Sequence, residues 1–183
     1  MTVTLAAPVA ADLDPLLAFE LANRAFFEAH INARPAAYYA RDGVARAIAA
    51  AQADALADRG YQFLVRDGQG TLVGRINLSH VKRAHSHSAV LGYRIGADFG
   101  GRGIAGAAVQ RLLAIAFGEL RLRRLEADAS VANLASQRVL LRNGFVEYGR
   151  SRRSFELGGT WHDRVHFERH ADADLAFFAR EEA

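Results

Sequence analysis

The sequence predicts an α/β (α+β) fold in which a mixed, mostly antiparallel central sheet carries helices on its flanks. Three observations lead there. Apolar runs of strand length meet at glycine-containing turns at 67–70 and 158–159, which is how hairpins are written in sequence. From Gly103 to Phe117 the pairs Ile104/Ala105, Ala108/Val109, Leu112/Leu113 and Ala116/Phe117 repeat every four residues, placing one apolar stripe of a helix against a sheet. The 183 residues, 51% hydrophobic and 23% charged, are enough to bury one core, so a single domain over 1–183 is expected.

In chain order, Val3 to Leu5 reads as a short strand and Asp12 to Asn32 as a helix, with Leu13, Leu16, Leu17, Leu21 and Phe27 at helical spacing. Asp42 to Asp58 is a second, alanine-rich helix closed by Gly60. Tyr61 to Arg66 and Thr71 to His80 are strands joined by Asp67-Gly68-Gln69-Gly70, and Ala89 to Ile95 extends the meander. After the helix that starts at Gly103, Leu125 to Ala129 is a short strand. Asn133 to Asn143 is a helix with Asn133 as N-cap and Gly144 as the left-handed residue beyond its end. Phe145 to Leu157 and Thr160 to Glu168 close the chain as a hairpin through Gly158-Gly159, with a terminal helix expected over His170 to Ala183.

The absence of cysteine excludes disulfides, thiolate zinc sites and a cysteine nucleophile. The first residues carry no early Lys or Arg, and Asp12 and Asp14 interrupt their apolar stretch, which argues against a secretory signal; no run is long enough to span a bilayer. A cytoplasmic protein with no membrane association is expected. The formal charge of +3 is mild, although arginines crowd at 121, 123, 124 and at 150, 152, 153, where they attract phosphates or form a solvated surface. His162, His166 and His170 would share a metal on a helix, but that segment reads as a strand, and no metal is expected. His80, His85 and His87 read as a loop near an acceptor site.

Between the strand ending at Ile95 and the helix beginning near Gly103 lies a loop with four glycines at 100, 101, 103 and 106. Bare backbone that feeds a helix N-terminus presents unpaired N–H groups and the positive end of the helix dipole, and so favours phosphate. Arg102 adds a charge-assisted contact. The same glycines would also serve a tight strand-to-helix turn without any ligand. Gly101-x-Gly103-x-x-Gly106 is also the dinucleotide fingerprint, with Glu126 about where a ribose-binding acid would stand. Against that reading, several residues separate strand from glycines, an antiparallel meander precedes them, and too little chain follows for a second nucleotide-binding half.

Several segments together resemble the GNAT acetyltransferase superfamily, and within it the RimJ/RimL type of ribosomal-protein N-terminal acetyltransferases. They are Leu91-Gly92-Tyr93-Arg94-Ile95, Gly101-Arg102-Gly103-Ile104-Ala105, Asn133 to Leu140, and Arg142-Asn143-Gly144-Phe145. The early Asn23-Arg24-Ala25-Phe26-Phe27 and the late Gly159-Thr160-Trp161-His162-Asp163 resemble it too. The resemblance covers nearly the whole chain and implies a GNAT-like sheet splayed between the strands at 89–95 and 125–129. It implies acetyl-CoA as co-substrate, with the pyrophosphate on the backbone of Gly101, Arg102, Gly103, Ile104, Ala105 and Gly106. It further implies that the strand containing Tyr93, Arg94 and Ile95 pairs with the pantetheine arm, that Asn133 and Ser136 face the arm and the sulfur, and that Arg142 joins the CoA site. Asn133 is also a plain cap and Ser136 also a partner for first-turn amides.

Two positions depart from the superfamily pattern. Gly100 stands where many members carry Gln or Arg, and Leu140 stands where many carry a tyrosine that protonates the departing thiolate. Ser136 is then the expected catalytic proton donor. No activated nucleophile is apparent, so a neutral amine attacks the thioester directly in a ternary complex. An α-amino group, with an ordinary pKa of about 8, is partly neutral at physiological pH, whereas a lysine near 10.4 is not. The expected reaction is therefore N-acetylation of a protein N-terminal α-amine, with a ribosomal protein as one candidate. Acetylation of a polyamine or antibiotic and a non-catalytic CoA-binding module are the alternatives. Glu126, Glu147, His80 and Tyr93 are candidate bases, each with a structural reading beside it. No direct nucleic-acid site is expected, and the resemblance allows a homodimer through the sheet or the C-terminal segment.

Overall fold

The computed structural model describes residues 2–171. Seven strands form one sheet: β1 (Val3–Ala6), β2 (Tyr61–Asp67), β3 (Leu72–Lys82), β4 (Ser88–Ile95), β5 (Arg124–Ser130), β6 (Val146–Leu157) and β7 (Thr160–His170). Their order is β1-β2-β3-β4-β5-β7-β6. Every neighbouring pair is antiparallel except β4 and β5, which run parallel. Among the described residues five α-helices accompany the sheet: α1 (Leu13–Ala22), α2 (Arg24–Glu28), α3 (Arg41–Leu56), α4 (Ile104–Ala114) and α5 (Leu134–Arg142). None of the described helices is long and apolar enough to cross a membrane.

Alternation along the strands splits the core in two. On β2, Leu64 packs with Leu16, Phe19, Phe27, Val44 and Ile48 from α1 to α3, while its neighbour Val65 packs with Ile104, Val109 and Leu112 of α4. Adjacent strand residues point to opposite faces, so α1 to α3 cover one face and α4 with α5 the other.

Sequence expectation and structure part company at three places. The helix expected over 12–32 is broken at Asn23, whose side-chain amide donates to Phe19 O at 2.9 Å while its Oδ1 accepts from Ala97 N at 2.8 Å. That second bond ties the α1–α2 junction to the loop after β4. It also explains Gly96, where a Cβ would stand 3.0 Å from Asn23 Oδ1. The second correction is at the end of α3, where the left-handed residue is Asp58, φ +52°, rather than Gly60. Asp58 tolerates this region, and its carboxylate accepts from Tyr61 Oη at 2.7 Å and from Arg83 Nε at 2.5 Å. Third, His170 closes β7 instead of opening a helix, and the rest of that expected helix lies outside the described residues. The two hairpin turns form as expected: Asp67 Oδ1 accepts from Gln69 N and Thr71 N, and Gly158 and Gly159 both take positive φ.

Candidate functional site

β4 and β5 pair only through Ser88↔Arg124, Ala89↔Leu125 and Val90↔Glu126. Beyond these, β5 continues with β7 as far as Ser130↔Arg164, and β4 stays with β3 as far as Gly74↔Ile95. From Leu91 onward, therefore, one edge of β4 meets no described strand. The opening holds a cavity of about 230 Å³ lined by Gly92 and Tyr93 on one side, Ala127 and Asp128 on the other, and Ser136 and Leu140 of α5. A strand edge with free N–H and C=O groups is a template for an extended, amide-containing partner.

Past Ile95 a 3-10 turn, Ala97–Phe99, leads into the glycine turn. Gly101 and Gly103 take φ of +72° and +77°, and a Cβ at either would meet nothing within 4 Å. The glycines therefore serve backbone conformation and an open approach from outside, not internal packing. The N–H groups of residues 101 to 106 find no hydrogen-bond partner among the described residues; Ala107 N, bonded to Gly103 O at 3.0 Å, is the first that does. Amides without a protein partner at the start of a helix favour an anion, and the turn at 101 to 103 that leads into them is exposed. A cavity of about 270 Å³ lies over it, lined by Ile95, the glycine turn, and Arg138 and Arg142 of α5. Arg102 stands aside, its guanidinium 5.8 Å from the Phe99 ring centroid.

α5 starts with Asn133, whose Oδ1 accepts from Ser136 N at 3.0 Å, so the cap reading holds for Asn133. Ser136 Oγ does not turn back to the first-turn amides; it lies 2.9 Å from Tyr93 Oη across the slot. Burial pushes the Tyr93 phenol above its ordinary pKa, against the opposing pull of the Ser136 hydrogen bond. The phenol therefore keeps its proton at neutral pH. Leu140 is buried in the wall of the slot.

The opposite face of β4 carries a third cavity, about 350 Å³, which shares Gly92 and Tyr93 with the slot. Arg94, expected at the CoA site, sends its side chain here, beside Arg34 and Arg75. Glu20 of α1, wholly buried, accepts from Arg75 Nη1 at 2.5 Å and from Tyr38 Oη at 3.1 Å, and its second oxygen lies 3.6 Å from Arg94 Nη1. Burial, together with the neighbouring Arg34 and Arg75, pulls the Arg94 guanidinium down to about 10 against the opposing effect of Glu20.

Of the expected bases, Tyr93 alone lines the slot. Glu126 accepts from Tyr148 Oη at 3.1 Å and pairs with Arg124, and the exposed Glu147 pairs with Arg150. Glu126 lies on the face away from α4 and its glycine turn, because its neighbours Leu125 and Ala127 are the ones in the α4 core, and this removes the ribose partner that the dinucleotide reading needs. His80, φ +52°, lies inside β3 where its register with β4 shifts between Ser79 and Lys82, and His85 and His87 lie in the turn between β3 and β4, where His87 O accepts from Arg123 N. That turn adjoins the zipped end of β4 and β5, not the slot. Asp128, 2.9 Å from Arg164, is the carboxylate that does line the slot. Alternation in Leu125-Glu126-Ala127-Asp128-Ala129 marks it as facing away from the core, and this signal could have found it. His166 Nε2 lies 2.8 Å from Ser151 Oγ, and no three His, Asp or Glu side chains among the described residues converge as a metal site.

Residues 2–146 match the acetyltransferase (GNAT) domain family. The probable N-acetyltransferase YjcK of Bacillus subtilis is 32% identical over 153 residues, covering 83% of this chain and 84% of the relative. Among solved structures, the ribosomal-protein-S5-alanine acetyltransferase of Vibrio fischeri superposes with a TM-score of 0.89 at 21% identity, covering 94% of each chain. RimJ of Mycobacterium smegmatis, in complex with CoA-disulfide, gives 0.86 at 26% identity, covering 93% of this chain and 83% of its own. With the parted strands, the amide row and this family match together, the chain belongs to the GNAT acetyltransferases, acyltransferases that draw their acetyl group from acetyl-CoA.

Proposed function

We propose that the protein acetylates the α-amine of a protein N-terminus, by direct attack of the neutral amine on the acetyl thioester in a ternary complex. The observation that carries this reading is the free edge of β4 beyond Val90, which runs from the slot at Ser136 to the partnerless amides at 101 to 106. The residues fit acetyl-CoA: the amides of Gly101 to Gly106, with Arg138 and Arg142 beside them, would hold its pyrophosphate, and the main chain of Tyr93 to Ile95 its amide-bearing arm. Bound there, acetyl-CoA supplies an activated acetyl group whose thiolate is the leaving group. Asn133 holds Ser136 at the start of α5.

As the amine nitrogen bonds to the acetyl carbon and the carbon–sulfur bond breaks, Ser136 Oγ gives a proton to the sulfur. Tyr93 Oη, 2.9 Å away, replaces that proton through the hydrogen bond the two share and takes one back from solvent, so that both hydroxyls end the cycle protonated. This pair takes the place of the missing tyrosine at Leu140. The proton lost by the amine passes to solvent, with Asp128 the nearest carboxylate of the slot to accept it. Ribosomal proteins are the first acceptors to try, because a protein of the same fold is named for acetylating one.

The test follows thiol release from acetyl-CoA with a panel of N-terminal peptides, a polyamine and an aminoglycoside. Peptides should be preferred, and Ser136→Ala should lower kcat about 100-fold, the low end for losing a positioned proton donor, with CoA affinity changed less than about threefold by calorimetry. A polyamine turned over better than every peptide would overturn the acceptor assignment. A Ser136→Ala enzyme as fast as the parent would remove Ser136 from the mechanism.

A further inference from the structure

The cavity on the far face of β4 has a charge imbalance that bears on the acceptor. Register pairs Arg75 on β3 directly opposite Arg94 on β4, an arrangement of like charges that costs stability on its own. Glu20 lies between them, and it is one carboxylate for three guanidiniums, since Arg34 lines the same cavity. Three positive charges less one negative leave +2, and no carboxylate is among the residues that line the cavity. Arg75 already has protein partners, donating to Glu20, Tyr38 and Gln62. Arg34 is different. Its guanidinium carbon lies over the Tyr38 ring, 4.2 Å from the centroid, and its buried Nε has no hydrogen-bond partner among the described residues. A buried guanidinium nitrogen without an acceptor is costly unless something else supplies one. Burial is the first cause of the lowered Arg94 pKa, and the positive charges of Arg34 and Arg75 add to it against the opposing effect of Glu20.

We infer that this cavity selects acceptors carrying an acidic group close to the reacting amine: a protein N-terminus with a carboxylate or phosphoryl side chain within its first few residues. The inference rests on the N-terminal acetyltransferase reading above. Because the cavity shares Gly92 and Tyr93 with the slot, a chain whose amine enters the slot extends past Arg34 and Arg94. Arg34 meets the acidic group with a planar, two-pronged donor, as guanidinium does for carboxylate and phosphate alike. The same charges repel a polyamine or a basic N-terminus, so selectivity comes from exclusion as well as attraction.

Two measurements test this, and they fail separately. In the first, calorimetry on the CoA-loaded protein uses N-acetylated tripeptide amides, which need no chemistry, with aspartate, phosphoserine, asparagine or lysine at the second position. An acidic residue should bind at least about tenfold more tightly than asparagine, and lysine more weakly, on the scale of a charge-assisted contact. The tighter of the two acidic peptides identifies carboxylate or phosphoryl as the group read. Arg34→Gln should reduce the preference to under about threefold while leaving CoA binding unchanged. Equal binding of acidic and neutral peptides, or a preference that survives Arg34→Gln, overturns the inference. In the second, thiol release is followed with the corresponding free-amine peptides. Turnover indifferent to the second residue overturns the acidic preference and leaves N-terminal acetylation standing. Selective binding with no turnover of any peptide overturns N-terminal acetylation and leaves the cavity's preference for acids intact.

Discussion

The two faces of β4 carry cavities built by different means. On the α4 side, the glycine turn offers main-chain amides with open space around them and charges only at its rim. On the α1 side, the cavity is built from side chains drawn from α1, β2, β3, β4 and the segment after α2, organised around one buried carboxylate. A backbone site is specified by what is absent, and it suits a group that every substrate shares. A side-chain site is specified by which residues are present, and it can change acceptor without disturbing the cradle. The two also differ in what supports them: removing Glu20 should damage the fold, whereas altering the glycines should damage binding.

Glu20→Gln tests the first half of that contrast and carries the largest expected effect. The substitution keeps the shape and removes the charge, leaving Arg75 and Arg94 face to face with no counter-ion in a site where Glu20 is 0% exposed. Removing one partner of a buried ion pair costs about 3 to 5 kcal/mol. For a chain of this size, that lowers the melting temperature by roughly 6 to 20 °C. A drop smaller than about 2 °C in a thermal melt would show that the cavity does not depend on its carboxylate, and the contrast between the faces would break.

The double change Gly101→Val, Gly103→Val tests the other half. A β-branched residue at φ near +75° costs about 1 to 2 kcal/mol, so holding both in the native turn costs about 2 to 4. On the proposed placement of the CoA pyrophosphate at that turn, CoA affinity should fall about 30- to 900-fold by calorimetry. The melting temperature should move less than in Glu20→Gln, because the turn is exposed and buries nothing when it relaxes. Unchanged CoA affinity would mean that the row of amides at 101 to 106 is not what binds the diphosphate.

The same contrast decides what could be read from sequence. Elements whose signal is local were legible: the four-residue period of α4, the Asn133 cap with its bond to Ser136 N, and the two glycine hairpins. So was the glycine turn, because its signature is contiguous. The break at Asn23 was not, since its cause is Ala97, 74 positions away, which competes for the side chain that would otherwise face solvent on one long helix. The arginine cavity was not legible either. Glu20, Arg34, Gln62, Arg75 and Arg94 share no spacing, and the β3/β4 register that sets Arg75 opposite Arg94 exists only once the sheet has formed. Arg138 falls between these cases: it lies one helical turn before Arg142, so placing Arg142 at the CoA site already implied its neighbour.

Asp58 gives the smallest expected effect and shows whether burial or charge makes Glu20 important. It too is a carboxylate held by an arginine, with Arg83 Nε at 2.5 Å and Nη2 at 2.7 Å, but its side chain is 37% exposed. The Arg83 hydrogen bond, helped by Tyr61, lowers its pKa from 3.8 to about 2. A carboxylate with a depressed folded-state pKa contributes stability that is fully present above the unfolded value and is lost as pH falls through the folded one. Here that window runs from 3.8 down to about 2. Solvent screening limits the contribution to less than about 1 kcal/mol. Asparagine tolerates the +52° backbone at this position, so Asp58→Asn adds little strain of its own. In denaturant titrations the variant should trail the parent by under about 1 kcal/mol at pH 7, and the gap should close as pH falls through that window. A gap as large as that of Glu20→Gln would make pairing, not burial, the common cause. A gap that persists at pH 2 would mean that Asp58 acts through its backbone and not through its charge.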